Sequence, residues 1–138
     1  MTDRELLELA AKAAGCDVRW HENWQCFVHV GVVNITTPPT MAGQRQVWVP
    51  LDDDGDALRL AVKLGITLLP YPVYNENERH SIVVKQKRGS DLLRERNPTE
   101  VVEVYGDDPY AATRRAIVRA AAEIGKEMKA LRNNLLKW

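Results

Sequence analysis

Residues 48–66 read WVPLDDDGDALRLAVKLGI, and they predict the start, body and end of one helix. Four aspartates surround one glycine directly before an apolar run. Leu58, Ala61 and Val62 recur at helical spacing and predict a stripe that faces the core. Gly65 is typical of the left-handed residue that ends a helix. The rest of the fold follows from the segments on either side.

The aspartates themselves have two interpretations, a metal site or the polar start of the helix. An EF-hand loop needs glycine at position six and glutamate at position twelve. Counted from Asp52, these positions hold Ala57 and Lys63, so that pattern fails. A looser magnesium site formed by Asp52, Asp54 and Asp56 is the alternative. We favour the helix start, because carboxylates there accept free backbone N–H groups and complement the helix dipole.

The flanking segments predict two more helices and several strands. Thr2 and Glu5 form a capping box, and Gly15 predicts the end of that first helix. Asp108 and Pro109 predict the start of the last helix. Apolar, valine-rich runs predict strands at residues 17–20, 25–35, 66–74, 81–87 and 100–105, with a loop at 34–46 and a polar turn before residue 81.

The predicted order is therefore α-β-β-α-β-β-β-α. Short polar connections between neighbouring strands favour a mostly antiparallel sheet of about five strands, covered by three helices, in the α+β class. Pro70 and Pro72 indicate that the strand at 66–74 lies at an edge or is kinked.

The last helix carries a heptad-like apolar seam at Ile117, Ala121, Ile124, Met128, Leu131 and Leu135. We favour packing of this seam on the sheet, and pairing of two copies as a homodimer is the alternative. Gly125 lies within the helix, where it would allow a bend or a stop. The sequence predicts a single domain spanning residues 1–138, in which residues 126–138 are expected to extend the last helix.

Two segments, WVPLDDDGDALRLAVKLGI and DPYAATRRAIVRAAAEIGK, closely resemble the phage ABA sandwich domain family of tailed phages and prophages. The segments DRELLELAAKAAG and VRWHEN match that pattern too, and the resemblance covers nearly the whole chain in the same order. It implies a three-layer α/β/α sandwich encoded by a phage or prophage, and it carries no catalytic residues with it.

The composition of the chain limits the classes of protein to which it can belong. The chain has 138 residues, with 19 basic and 19 acidic side chains and two cysteines. A balanced charge gives no overall field for nucleic acid or an anionic membrane. No apolar stretch reaches the ~20 residues of a membrane helix, and the N-terminus lacks the pattern of a signal peptide. We therefore expect a protein of the bacterial cytoplasm, with reduced thiols.

Motifs for catalysis and cofactors do not stand out. Cys16, His21, Cys26 and His29 have zinc-type side chains, but their spacing lacks a close C-x₂₋₄-C pair. Cys26 and His29 would also point to opposite faces of a strand. The nucleophile elbow and the phosphate-binding glycine loop are both missing from the sequence. We expect no enzyme activity, no metal and no cofactor.

Candidate binding residues are of two kinds. Tryptophans are enriched in binding hot spots, and three of them border predicted turns or loops. Basic residues form a turn and an outward stripe on the last helix, which would suit phosphates or an acidic protein. The candidate partner-binding residues are Trp20, Trp24, Trp48, Lys85, Lys87, Arg88, Arg114, Arg115 and Arg119.

These observations predict a non-enzymatic phage or prophage accessory protein that binds a host or phage protein. One specific version is an inhibitor of a bacterial defence system such as CRISPR–Cas. Two alternatives are a nucleic-acid-binding module that uses the basic face of the last helix and a small-molecule or nucleotide binder. The chain would act as a monomer or as a homodimer through the seam.

Overall fold

A computed structural model describes residues 1–30, 47–70, 81–86 and 99–136, with residues 81–86 and 99 described through their backbone alone. The elements in chain order are α1 (Asp3–Ala14), β1 (Val18–His21), β2 (Cys26–His29), β3 (Val47–Trp48), α2 (Asp54–Leu64), β4 (Ile66–Pro70), β5 (Ser81–Gln86), β6 (Thr99–Val104) and α3 (Pro109–Leu135). The predicted loop at 34–46, the polar turn before residue 81 and parts of two predicted strands (31–35 and 71–74) lie outside the described residues.

Each helix begins at the predicted polar cap. In α1 the Thr2 N–H donates to Glu5 Oε2 at 2.8 Å, and the Glu5 N–H donates to Thr2 Oγ1 at 3.2 Å. In α3 the Asp108 carboxylate accepts two backbone N–H groups of the first turn. Helices α1 and α2 end at left-handed glycines, Gly15 with φ 66° and Gly65 with φ 63°. The predicted helix starts, and the predicted ends of α1 and α2, are confirmed. They could be predicted because a capping residue acts on backbone groups only a few residues away.

The six strands of the described residues form two antiparallel sheets of three strands each, in the orders β1-β2-β3 and β4-β5-β6. In the first sheet Trp20 pairs with Phe27, and Phe27 pairs with Trp48. In the second sheet β5 is central, so β4, which ends at Pro70, lies at an edge as predicted. The α+β class, the three helices and the antiparallel pairing are confirmed, and among residues 1–30, 47–70, 81–86 and 99–136 the strands pair in two groups of three. The order of the layers stays a prediction.

Helices α1 and α3 pack closely through small side chains. Ala10 and Ala11 of α1 and Ala121 and Ala122 of α3 are all buried. Gly125 lies directly against the backbone of Leu9, so close that a built Cβ would be 2.1 Å from the Leu9 carbonyl oxygen. Helix α3 continues through Gly125 without ending. The glycine therefore serves the approach of two helices rather than a break.

The seam of α3 divides into a buried and an exposed part. Ile117 and Ala121 are 3% and 0% exposed, because they pack in the core. Met128, Leu131 and Leu135 are exposed. Packing in the core is therefore confirmed for the first part of the seam. A homodimer through the whole seam is wrong, because its first two positions are already covered within the chain.

The stripe predicted for α2 is also wrong in part. Leu58 and Val62 are exposed, and Ala57, Leu60 and Ala61 are buried instead. Both sets repeat at intervals of three or four residues, so periodicity alone does not distinguish them. Asp56 lies on the buried face, and its carboxylate accepts the N–H of Val49, the residue after β3.

Candidate partner-binding surface

The hairpin formed by β1 and β2 ends in a tight turn, which we call the hairpin tip (residues 21–25). The Trp24 N–H donates to His21 Nδ1 at 3.1 Å. Their rings stack with centroids 4.2 Å apart and planes 15° apart. Gln25 has a φ of 51°, unusual for a residue with a side chain, and its Nε2 donates to the Glu22 carbonyl at 2.6 Å. The tip is thus held in one conformation by its own side chains.

His21 holds the hairpin tip through its hydrogen bond and ring contact with Trp24. It is 7% exposed, and because Nδ1 accepts a hydrogen bond, the proton of the neutral ring lies on Nε2. That Nε2 is buried and has no acceptor in the part of the chain that the structure describes. The same is true of Trp20 Nε1. Buried donors without acceptors are costly, so these two N–H groups reduce the stability of the hairpin.

The three candidate tryptophans occupy different environments. Trp24 is half-buried at the tip, where its ring lies on His21. Trp20 is half-buried between Phe27, which it meets edge to face at 5.1 Å, and the Arg4 guanidinium, 4.6 Å from its ring centroid. Trp48 is 4% exposed and belongs to the core, so it is not available to a partner. Of the three, Trp24 is the one presented on a turn.

The predicted basic stripe on α3 is largely neutralised. Arg114 Nη1 lies 2.6 Å from Asp54 Oδ1, and its Nε donates to the Leu51 carbonyl. Arg115 and Arg119 pair with Asp3 and Glu103, respectively. These pairs add little stability at the surface, but they cancel the charge that would attract phosphates. The side chains of Lys85, Lys87 and Arg88 lie outside the described residues.

The aspartates serve the start of α2, as predicted. Asp53 is the cap, and its Oδ2 accepts the Asp56 N–H at 2.7 Å. The buried Asp56 carboxylate accepts from the Val49 N–H and from Arg59, both at 2.9 Å. Asp54 pairs with Arg114 across to α3. Within residues 1–30, 47–70 and 99–136, no three His, Cys, Asp or Glu side chains converge as metal ligands would.

The zinc-type residues of the first sheet are likewise dispersed. Cys16 and Cys26 are free, half-buried thiols, and burial raises the pKa of the Cys26 thiol. The strand register pairs His21 with Cys26 and Val18 with His29, which places Cys26 and His29 on opposite faces, as expected. Cys16 and His29 instead line a small cleft of about 210 Å³ beside Trp48.

A second apolar cleft, of about 270 Å³, lies between α2, β4 and α3, where Leu58, Leu68 and Tyr110 line it. Ligand pockets usually exceed roughly 300 Å³ and combine an apolar lining with a few converging polar groups. Neither apolar cleft reaches that size. Two larger clefts, each about 430 Å³, are lined mainly by charged and polar side chains. Within the described residues, no helix is long and apolar enough to cross a membrane.

Neither protein-family models, nor curated proteins, nor solved structures match this chain. The resemblance to the phage ABA sandwich domain family stays a prediction that rests on the segments quoted above.

Sequence reasoning missed the part played by His21, which it considered only as a metal ligand. A histidine three residues before the residue whose N–H it accepts resembles the spacing of a side-chain cap, and that spacing was the available signal. The acceptor is Nδ1 because the turn brings the Trp24 N–H to that nitrogen, and this geometry belongs to the folded hairpin.

Proposed function

We infer that the chain is a non-enzymatic accessory protein of a tailed phage or prophage, and that it acts in the bacterial cytoplasm by binding a host or phage protein through its hairpin tip. The observation that carries this proposal is the stacked Trp24–His21 pair on a turn held by three local contacts. Tryptophan is the residue most enriched in binding hot spots. A turn that is already ordered before binding loses less conformational entropy when a partner binds to it.

The charges of α3 favour a protein partner over nucleic acid. Arg114, Arg115 and Arg119 each face a carboxylate of the chain itself. A nucleic-acid-binding surface needs cations that are available to phosphates. One specific form of the proposal is inhibition of a bacterial defence system such as CRISPR–Cas, by covering a surface of one of its proteins.

Capture from a host lysate tests the proposal with three forms of the full chain. The wild type should recover one host or phage protein in stoichiometric amount, and Trp24→Ala should lose most of it. Asn23→Ala is the matched control, because Asn23 is an exposed neighbour on the same turn and should leave recovery unchanged. Far-UV circular dichroism should show that all three are folded.

The outcome that contradicts the proposal is equal recovery by wild type and Trp24→Ala, or no stoichiometric partner at all. The defence-inhibitor form is tested separately, by adding the chain to a reconstituted CRISPR effector and measuring DNA cleavage. Unchanged cleavage by each effector of the host would rule out that form and leave the binding proposal standing.

A further inference from the structure

The side chain of His21 connects the conformation of the hairpin tip to the binding of a proton. His21 is 7% exposed, and its Nδ1 accepts the Trp24 N–H at 3.1 Å. A ring nitrogen accepts a hydrogen bond only while it carries no proton. Histidine is also the side chain that ordinarily changes its charge between about pH 5 and pH 8. The hydrogen bond that holds the tip therefore exists in only one protonation state of the ring.

We propose that His21 is a pH-sensitive switch of the hairpin tip, in which protonation of Nδ1 releases the Trp24 N–H and opens the tip. With a proton on Nδ1, two N–H groups would point at each other across a contact of 3.1 Å. Turning the ring over does not restore an acceptor, because it places a C–H group where Nδ1 was. The doubly protonated ring would also carry a buried charge, and its Nε2 has no acceptor among the described residues.

The stacking of the two rings acts in the opposite direction. A cation is attracted to the face of a tryptophan ring, and the His21 and Trp24 rings have their centroids 4.2 Å apart. This attraction does not keep the tip closed, because the N–H that repels the charged ring belongs to Trp24 itself. Gln25, with a φ of 51°, adds a strained backbone that persists only while its surroundings hold it. Loss of the contact to Nδ1 removes one of these supports.

The charged and titratable groups of the neighbouring elements do not compensate a charge on His21. Cys26 of β2 lies directly opposite in the strand register, and its thiol stays neutral because burial raises its pKa. Arg19 lies on the same face of β1 and is itself a cation, whereas Arg4 of α1 lies over a tryptophan ring on the other face. Glu22, the next residue, is exposed. In the part of the chain that the structure describes, neither ring nitrogen contacts a carboxylate.

The direction and size of the effect follow from the protons that each form of the tip binds. The closed tip excludes a proton from Nδ1 and an open tip accepts one, so the closed form is lost as the pH falls. A histidine in water is half-protonated at about pH 6.5. Complete exclusion would raise the ratio of open to closed tips by about thirtyfold between about pH 8 and about pH 5. The switch concerns the conformation of the tip, so its test does not require that the tip binds a protein.

Nuclear magnetic resonance on the full chain labelled with ¹⁵N tests the proposal at the atoms concerned. At about pH 8 the imidazole spectrum should show His21 with its proton on Nε2 and none on Nδ1. The protection of the Trp24 amide from hydrogen exchange, corrected for the intrinsic effect of pH, should fall by as much as about thirtyfold toward pH 5. The Val30 N–H, which donates to the Asp17 carbonyl at the other end of the hairpin, should keep its protection. Equal losses at Trp24 and Val30 would mean that the whole hairpin unfolds, and would overturn the proposal.

Two variants separate His21 from the other histidines. In His21→Asn the asparagine Oδ1 can replace Nδ1 as the acceptor and does not titrate, so the Trp24 amide should be equally protected across the pH range. His29→Gln is the matched control, because it removes a histidine of β2 outside the tip and should keep the pH dependence of the wild type. The proposal is wrong if His21→Asn loses protection in acid as the wild type does, or if the wild type loses none. If circular dichroism shows that His21→Asn is unfolded, the comparison of Trp24 with Val30 in the wild type decides.

Discussion

The substitution Gly125→Ala decides between two opposing effects in α3. In a helix interior alanine is favoured over glycine by about 1 kcal/mol, so local propensity predicts a more stable protein. The structure predicts the opposite. A Cβ at position 125 would lie 2.1 Å from the Leu9 carbonyl oxygen and 2.8 Å from its carbonyl carbon. Because these are backbone atoms, no side chain can rotate away to make room.

The size of the effect follows from the movement required. Ordinary contact needs roughly 3.5 Å, so α1 must withdraw from α3 by roughly 1.4 Å. Overpacking of this kind costs about 1–3 kcal/mol, and contact with backbone places it at the upper end. After subtracting the gain in propensity, we expect a net loss of about 2 kcal/mol in the free energy of unfolding. For a chain of this length that lowers the melting temperature by roughly 8 °C.

Urea unfolding followed by far-UV circular dichroism measures this loss. Gly106→Ala is the matched control, because a Cβ there meets nothing within 4 Å, and its effect should lie within about 0.5 kcal/mol of zero. If Gly125→Ala is as stable as the wild type or more stable, the close crossing of α1 and α3 does not exist in solution.

Two further predictions concern the helix starts. Asp56→Asn should lower the free energy of unfolding by about 1–3 kcal/mol in the same urea experiment, because the Val49 N–H and Arg59 lose a buried anionic acceptor. The control Asp52→Asn changes an exposed side chain and should alter the free energy of unfolding by less than about 0.5 kcal/mol. Equal effects of the two substitutions would contradict the contacts assigned to Asp56. The hydrogen bond from the Thr2 N–H lowers the pKa of Glu5 below its usual 4.5. A lowered pKa in the folded state means that this stabilisation is present above pH 4.5 and is lost as the pH falls through the folded value. The melting temperature of Glu5→Gln should therefore fall less than that of the wild type as the pH drops below 4.5. If the melting temperatures of the two proteins fall equally with pH, the result contradicts the capping box.

The helix ends could be predicted from sequence because their signals are local. Thr2, Asp108 and Gly65 each act on backbone groups within a few residues, so their effect does not depend on the rest of the fold. The division into two sheets could not be predicted in this way. Strand β3, for example, is two residues long and pairs with a strand about twenty residues away, so neither its length nor its partner is indicated by the local sequence.

The surface was harder to predict than the helices, for the same reason. The arginines of α3 look like a free basic stripe until Asp3, Asp54 and Glu103 approach them from distant parts of the chain. Trp48 follows a predicted loop, but in the structure it pairs with Phe27 and is buried in the core. The sequence indicates which residue types could bind a partner, but only the fold determines which of these side chains face solvent.

The contact between Leu9 and Gly125 also constrains how the chain acquires its structure during synthesis. Helix α1 is translated before α3, yet the backbone of Leu9 in α1 lies directly against Gly125 of α3. Contacts between such distant segments slow folding, because a long loop must close before they form. The side of α1 that packs against α3 therefore lacks this cover until α3 has been translated, and apolar surface exposed in that interval favours aggregation of the incomplete chain.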